Sequence, residues 1–227
     1  MELTIDVSAT TATIGLSSQG ELVSHVTWPT ANDHTSRLVP GILQAIDESA
    51  EPASSIDLVT VALGPGPFNA LRVAVSVAKG WVVATGASLV GINTLEAEVH
   101  RMAPGQSPVR PVVRAGRSRF ATALFEWTGG EWNKTENEHI IEESALDEYA
   151  ALDITLCGEI EESIAARLRG LGTLRARVTN EHQPMRIAVL ASWGWQLKQK
   201  GRTSSPSSLQ PVYAKPPHIT TPKQRRV

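Results

Sequence analysis

The chain has 227 residues, 41% of them hydrophobic and 19% charged, which is the balance of an ordinary soluble globular protein with one large or two small lobes. The net charge of −2 at pH 7 excludes a global positive field that would draw the whole chain to nucleic acid or to a membrane. The single cysteine, Cys157, excludes an internal disulfide and a four-cysteine zinc site.

The first third of the chain predicts strands, then a helix, then a buried strand. Three β-rich runs, ELTIDVS, TATIGLSS and GELVSHVTW, predict consecutive antiparallel strands. The segment NDHTSRLVPGILQAIDES predicts a helix whose N-cap is Asn32 or Asp33. Its residues Leu38, Ile42 and Ala45 share one face. The apolar run IDLVTVAL is typical of a strand buried on both faces.

A glycine-rich turn then leads into a long apolar helix, GPGPFNALRVAVSVAKG, from Gly64 to Gly80. Glycines can bring backbone N–H groups to a phosphate, but Pro65 and Pro67 each lack an N–H, and no Gly-Lys-Ser/Thr follows. These features favour a tight strand-to-helix turn over a phosphate cradle. The helix is apolar on two faces, so it needs a second cover besides its sheet, either a neighbouring helix or a second subunit.

The rest of the chain continues an α/β pattern with a mixed sheet. SLVGI predicts a strand, NTLEAEVHRMA a helix capped by Asn93, and VVRAGRSRFATALFEW with GEWNKTENEHII a hairpin around Gly129-Gly130. DITLCGE predicts a strand, and IEESIAARLRGLG and PMRIAVLASWGWQLKQKG predict helices, before an extended or partly disordered tail. We expect an N-terminal lobe over 1–103, a smaller lobe over 104–180, and a C-terminal helix and tail over 181–227. No apolar run reaches the ~20 residues that cross a bilayer, and the acidic start does not suit a signal peptide, so we expect a cytoplasmic protein without membrane contact.

Four segments, in their order and spacing, resemble the TsaB (YeaZ) family. They are LTIDVSATTATIGL, HTSRLVPGILQAI, GPGPFNALRVAVSVAKG and LVGINTLEA, and the late segment LQPVYAK resembles the family's terminal Pro-x-Tyr. The positions that match the family's motifs are Asp6, Ser8, His34, Leu38, Pro40, Gly64, Pro65, Gly66, Phe68, Leu71, Arg72, Val73, Ala78, Lys79 and Gly80. The first hundred residues carry most of this likeness.

The resemblance implies an actin-like fold of the sugar-kinase and Hsp70 type, with two lobes of mixed sheets flanked by helices and a reduced second lobe. It also implies a non-catalytic subunit of the bacterial complex that forms threonylcarbamoyladenosine in tRNA. Such a subunit dimerises with the transferase TsaD, is joined by the ATPase TsaE, meets tRNA through the complex, and forms a homodimer when alone. In the family the helices matching 33–48 and 68–85 form the dimer face. This places His34, Leu38, Ile42, Phe68, Leu71, Arg72, Val75, Lys79 and Val82 at the partner interface.

The resemblance also bears on catalysis and cofactors. TsaD carries two metal-binding histidines four residues apart, whereas this chain has Thr94 and Glu98 at those positions, and His100 is out of phase. We therefore expect no metal site and no catalytic residue. Asp6, with Ser8, lies where actin-like ATPases place a carboxylate directed at magnesium, which predicts at most a weak ATP or ADP contact and no required cofactor. The alternative is that Asp6 caps the first turn.

Three further patterns leave alternatives open. One turn is surrounded by four arginines, which contact RNA phosphates, a partner or only solvent: Arg110, Arg114, Arg117 and Arg119. The same alternatives hold for the basic terminal segment KQRRV. Cys157 lies in an apolar strand, which favours a core residue over a nucleophile. Besides the subunit hypothesis, we consider a small phosphotransferase of the same fold and a stand-alone RNA-binding module; the last is disfavoured by an aromatic content of 5%.

Overall fold

Two five-stranded mixed sheets form the framework of the computed structural model, which describes residues 1–29, 34–105, 107–171, 177–178 and 185–214. In the first sheet the strands are β1 Glu2–Asp6, β2 Thr11–Ser18, β3 Glu21–Pro29, β4 Leu58–Ala62 and β5 Ser88–Ile92. In the second they are β6 Val109–Arg114, β7 Arg119–Thr128, β8 Glu131–Glu142, β9 Thr155–Gly158 and β10 Arg177–Val178. The helices are α1 His34–Ser49, α2 Phe68–Thr85, α3 Thr94–His100, α4 Ala145–Ala150, α5 Glu162–Gly170 and α6 Arg186–Gln199.

The two sheets have the same strand order. The first runs β3-β2-β1-β4-β5, and the second, read from the hairpin side, runs β8-β7-β6-β9-β10. In each, the opening strand pairs antiparallel with the second and parallel with the fourth. The predicted meander at the start, the hairpin at Gly129-Gly130 and the two-lobed actin-like architecture are thereby confirmed.

Helices cover the first sheet on both faces. Val59 and Val61 of β4 lie in the core shared with α1 and α2, whereas Leu58 and Ala62 lie in a second core with Leu190 of α6. This confirms that β4 is buried on both faces. Helix α6, which the sequence places in a C-terminal segment, therefore packs on the sheet formed by the first ninety-two residues.

The chain after α6 runs along the first lobe as an extended strap. The Ser204 N–H donates to the carbonyl of Leu89 at 2.7 Å, and the Val212 N–H donates to the carbonyl of Leu63 at 2.8 Å. Between them Leu209 is buried in the first core. The predicted extended tail is thus packed on the lobe up to residue 214, and the KQRRV terminus lies outside the described residues. Within the described chain, no helix has both the length and the apolar character needed to span a membrane.

Gly194 tests how closely α6 approaches its sheet, and Gly80 of α2 serves as the matched control. A Cβ on Gly194 of α6 would lie 2.1 Å from Thr60 Oγ1, whereas a Cβ on Gly80 of α2 would meet nothing within 4 Å. We expect Gly194→Ala to lower the free energy of unfolding by about 1–3 kcal/mol because the helix must move off β4. We expect Gly80→Ala to raise it by about 0.5–1 kcal/mol, since alanine is the better helix former. Urea denaturation of both variants checks the pair; equal effects would contradict the close contact.

Candidate functional site in the cleft between the sheets

A cavity of about 440 Å³ lies where the two sheets meet. Asp6, the last residue of β1, faces it from the first sheet, and Arg114, the last residue of β6, faces it from the second. Glu98 of α3, Glu159 after β9 and Arg186 at the start of α6 complete the charged lining. The cleft is therefore built by the ends of equivalent strands and by two helices that touch both lobes.

Arg186 joins the carboxylates of the cleft. Its Nε donates to Asp6 Oδ2 at 2.7 Å, and its Nη1 donates to Glu98 Oε1 at 2.7 Å and to Glu159 Oε1 at 3.2 Å. Glu98 also accepts from Arg101 at 2.5 Å. One buried guanidinium thus connects the first sheet, α3 and the second sheet.

The ionisation of the cluster follows from these contacts. Burial acts to raise the pKa of Asp6, but the Arg186 guanidinium and two hydrogen bonds from Ser8 outweigh it and leave that pKa below its ordinary value. At Glu159 burial wins over the attraction of Arg186, so the pKa of this carboxyl is raised. Burial also opposes the charge of Arg186, but the three carboxylates outweigh it and raise its pKa. The guanidinium is therefore charged at neutral pH.

The residues present do not fit a magnesium–nucleotide complex at Asp6. Oδ1 of Asp6 already accepts from the backbone N–H of Ser8 at 3.0 Å and from its hydroxyl at 2.6 Å, and Oδ2 is held by Arg186. The glycine-rich turn is also engaged within the protein and does not offer these groups to a phosphate. The Gly64 N–H donates to Thr94 Oγ1 at 3.1 Å. Gly66 packs against the Ser8 backbone, since a Cβ there would lie 2.5 Å from the Ser8 carbonyl oxygen. After β9 the second lobe presents the carboxylates Glu159 and Glu161 to the cleft, and they pair with the guanidinium groups of Arg186 and Arg114 that a phosphate would otherwise use.

The positions that would hold metal ligands in a TsaD-type chain have other contacts here. Thr94 fixes the turn at Gly64, and Glu98 binds two guanidinium groups. His100 stacks on Trp193 with ring centroids 3.6 Å apart, away from the cleft lining. Within the described ranges no group of three or more His, Cys, Asp or Glu side chains is arranged to hold a metal ion.

The other polar residues singled out by sequence are separated in the structure. Arg114 pairs with Glu161 at 2.7 Å in the cleft, whereas Arg110 is buried beside Glu136 and over the ring of Tyr149. Arg117 lies in the turn between β6 and β7, and Arg119 is the first residue of β7. Because Arg110 is buried, the four arginines do not form one basic patch. Cys157 is buried, and burial raises the pKa of its thiol, which agrees with a core residue rather than a nucleophile.

The lowered pKa of Asp6 predicts a defined pH dependence. The pKa of Asp6 in the folded chain lies below its ordinary value of 3.8. The Asp6–Arg186 pair therefore stabilises the fold fully above pH 3.8, and this stabilisation is lost as the pH falls through the pKa of Asp6 in the folded chain. We expect the stability difference between the parent and Asp6→Asn to be constant between about pH 5 and 8 and to shrink below about pH 4. Urea denaturation across this range measures it, and a difference that grows on acidification would contradict the ion pair.

The predicted partner face on α1 and α2 has an inner and an outer side. Five predicted interface residues are buried in the protein's own interior: Leu38, Ile42, Leu71, Val75 and Val82. They pack inward because α1 and α2 lie side by side on the sheet and cover each other. In the isolated chain these five are covered by its own core, and their assignment to a partner interface stays a prediction. The prediction of an interface on these helices stays a prediction.

The outer side of the two helices carries exposed apolar groups. Val39, Leu43 and Val83 are 48%, 52% and 76% exposed. Of the remaining predicted interface residues, Arg72 is exposed, while Phe68 and Lys79 are half-buried. Phe68 contacts the Tyr213 ring of the strap at 4.8 Å between centroids. His34 is the first residue of α1, and its side chain lies outside the described part of the chain.

Comparison with known sequences gives a family match over most of the chain. The family model "TsaD: tRNA N6-adenosine threonylcarbamoyltransferase" matches residues 26–167. The tRNA N6-adenosine threonylcarbamoyltransferase of Koribacter versatilis is 36% identical over 70 residues, which are 31% of this chain and 18% of that protein. An uncharacterised protein of Mycobacterium tuberculosis is 34% identical over 98 residues, 42% of this chain and 46% of that protein. The alignments span less than half the length of each of these curated relatives.

Solved structures give the fold. YeaZ from Pseudomonas aeruginosa superposes with a TM-score of 0.68 at 19% identity, covering 94% of this chain and all of that one. The ROK hexokinase from Thermus thermophilus superposes with a TM-score of 0.52 at 11% identity, covering 88% and 99%. The likeness to YeaZ recognised in the sequence is therefore confirmed in family and fold. The chain belongs to the TsaD family and has the two-lobed actin-like fold of YeaZ.

Proposed function

We propose that this chain is a TsaB-type, non-catalytic subunit that dimerises with a TsaD-type transferase and supports threonylcarbamoyl transfer to adenosine in tRNA. The observation that carries this proposal is the exposed apolar side of α1 and α2, formed by Val39, Leu43 and Val83. Each of these large apolar side chains is exposed on one of two helices that pack side by side, and burial against a second protein would remove them from water. The family match over residues 26–167 supports the pathway.

The non-catalytic role is supported by the chemistry of the cleft. An arginine and its carboxylate partners fill the place where an actin-like enzyme would bind phosphates, and Glu98 replaces a ligand of the transferase's metal. A phosphotransferase would need Asp6 available to a metal, yet both of its oxygens are engaged. These contacts disfavour the phosphotransferase alternative. The weak nucleotide contact expected at Asp6 and Ser8 stays a prediction.

The full assembly follows from the family resemblance. We propose that a TsaE-like ATPase joins the heterodimer, that tRNA is reached through the complex in the cytoplasm, and that the isolated chain pairs with itself through the same helices. In this arrangement the homodimer and the heterodimer compete for one surface. Adding the transferase should therefore convert homodimers into heterodimers.

Reconstitution tests the proposal. The purified chain is mixed with the transferase from the same organism, the ATPase, tRNA, ATP and threonylcarbamoyl-adenylate, and each component is omitted in turn. We expect modified tRNA to require this chain and the transferase together, and size-exclusion chromatography to show their complex. Undiminished modification without this chain, or absence of any complex, would overturn the proposed role. Turnover by this chain alone would overturn the non-catalytic part.

A further inference from the structure

A second cavity, of about 540 Å³, lies outside the cleft, between α3, α6 and the β7–β8 hairpin. Trp127 and Trp132 face it from the hairpin, and Trp193 faces it from α6. Its volume is that of a site for a small organic ligand, which falls between about 300 and 1,000 Å³. We call it the aromatic pocket.

The rings of the aromatic pocket form two pairs. Trp127 and Trp132 meet edge to face with centroids 5.3 Å apart, and Trp193 stacks on His100 at 3.6 Å with planes 20° apart. Trp132 and Trp193 each pack one side on a hydrophobic core and remain half-buried. Each ring is therefore held by its neighbours while part of it faces the cavity.

Cations from separate elements surround these rings. Lys134 of β8 and Lys200 and Arg202 beyond α6 line the pocket, against the carboxylates Glu96 and Glu131. Lys134 is tied to Glu138 at 2.6 Å, which fixes it on the hairpin. Both Lys200 and Arg202 are exposed at the end of α6, and the Arg202 N–H is anchored to the carbonyl of Leu197 at 2.8 Å. The positive groups thus come from two separate elements that border the pocket.

Trp193 already stacks on His100, so the hairpin indoles Trp127 and Trp132 are the surface left for a base, and these rings beside spaced cations match the chemistry of an unpaired nucleotide in a strand. A base can stack on an indole, and the phosphates on either side can meet cations that lie apart from one another. A single phosphate would not need cations on both the hairpin and the end of α6. An acidic peptide would use the cations but not the indole faces. We infer that the aromatic pocket binds an unpaired nucleotide of an RNA strand.

This inference deepens the proposed function, on which it rests for the identity of the RNA as tRNA. The global charge of −2 is compatible with it because the exposed cations Lys200 and Arg202 act locally. The pocket is separate from α1 and α2, so RNA could occupy it while a partner covers those helices. The chain would then add its own contact to tRNA instead of acting only through its partner.

Binding of a labelled, unstructured ten-nucleotide RNA, followed by fluorescence anisotropy, tests the inference. We expect Trp127→Ala to weaken binding about fivefold to 150-fold through lost stacking. We expect the double variant Lys200→Ala/Arg202→Ala to reduce the slope of log affinity against log salt by about 1.4, because two cations no longer neutralise phosphates. Trp195→Ala and Arg169→Ala, whose side chains do not line the pocket, should bind like the parent.

Three results would overturn the inference. They are a parent chain that does not bind the oligonucleotide, pocket variants that bind like the parent, and a parent that binds adenosine monophosphate but not RNA. Circular dichroism confirms that each variant is folded, and Trp127→Leu serves if the alanine variant is not. Co-purification with the transferase is measured on the same variants. Loss of RNA binding with an intact complex would support the pocket assignment, whereas failure of the parent to form a complex would count against the proposed function alone.

Discussion

Replacement of Arg186 by methionine is expected to lower the free energy of unfolding by about 3–5 kcal/mol, the usual cost of leaving buried charges without their partner. The guanidinium bonds Asp6, Glu98 and Glu159, and all three carboxylates are largely removed from water. Methionine retains most of the side-chain length but none of the charge. The variant therefore reports the electrostatic contribution more than the packing.

The pH dependence separates this effect from a packing defect. Without the cation, the pKa of Asp6 should rise, so the folded variant binds protons more readily than its unfolded chain as the pH falls. The deficit relative to the parent should then be largest near neutral pH and shrink towards about pH 4. The matched control is Arg169→Met, which removes an exposed ion pair with Glu162 and should cost less than about 1 kcal/mol. A deficit for Arg186→Met that is equally small and independent of pH would contradict the bridging role.

Leu71→Asp and Val83→Asp both lie on α2, but we expect the first to prevent folding and the second to weaken partner binding in a folded chain. Leu71 is fully buried beside Gly64, so an aspartate there places a charge in the interior and should abolish cooperative folding at 25 °C. Val83 is 76% exposed, and its replacement by aspartate should change the free energy of unfolding by less than about 0.5 kcal/mol. If this helix face forms the interface, Val83→Asp should weaken binding to the transferase at least tenfold, which corresponds to a loss of about 1.4 kcal/mol of binding free energy.

Thermal unfolding and a pull-down with the transferase measure the two outcomes. Leu152→Asp is the matched control, because Leu152 is 49% exposed but lies in the second lobe, away from α1 and α2. It should remain folded and bind like the parent. A folded Val83→Asp variant with unchanged affinity would remove Val83 from the interface, and the same result for Val39→Asp and Leu43→Asp would move the interface off these helices.

Local patterns in the sequence predicted most of the first lobe. The alternation in the first strands, the uninterrupted apolar run of β4 and the Asn93 cap each depend on neighbours within a few residues. The cap is present, with Asn93 Oδ1 accepting from the Leu95 N–H at 2.8 Å. Helix α4 was missed because its six residues are too short for a helical period, and only Leu146 and Ala150 are buried.

Long-range features could not be predicted in the same way. Periodicity indicated that α2 is apolar on two faces but not which face turns inward, and Leu71, Val75 and Val82 proved to be the inner one. Arg186 looked like the first polar residue of an ordinary helix, yet its partner Asp6 is 180 residues away in the chain. A contact of this kind depends on the packing of α6 against the first sheet, which no local pattern encodes.

The return of α6 to the first sheet has a consequence for synthesis on the ribosome. The strands of that sheet emerge within the first ninety-two residues, but the helix that covers their second face spans residues 186–199. Until then Leu58, Ala62, Val90 and Ile92 have no Leu190 to pack against. The core on the second face of the first sheet can therefore be completed only after the second lobe has been translated.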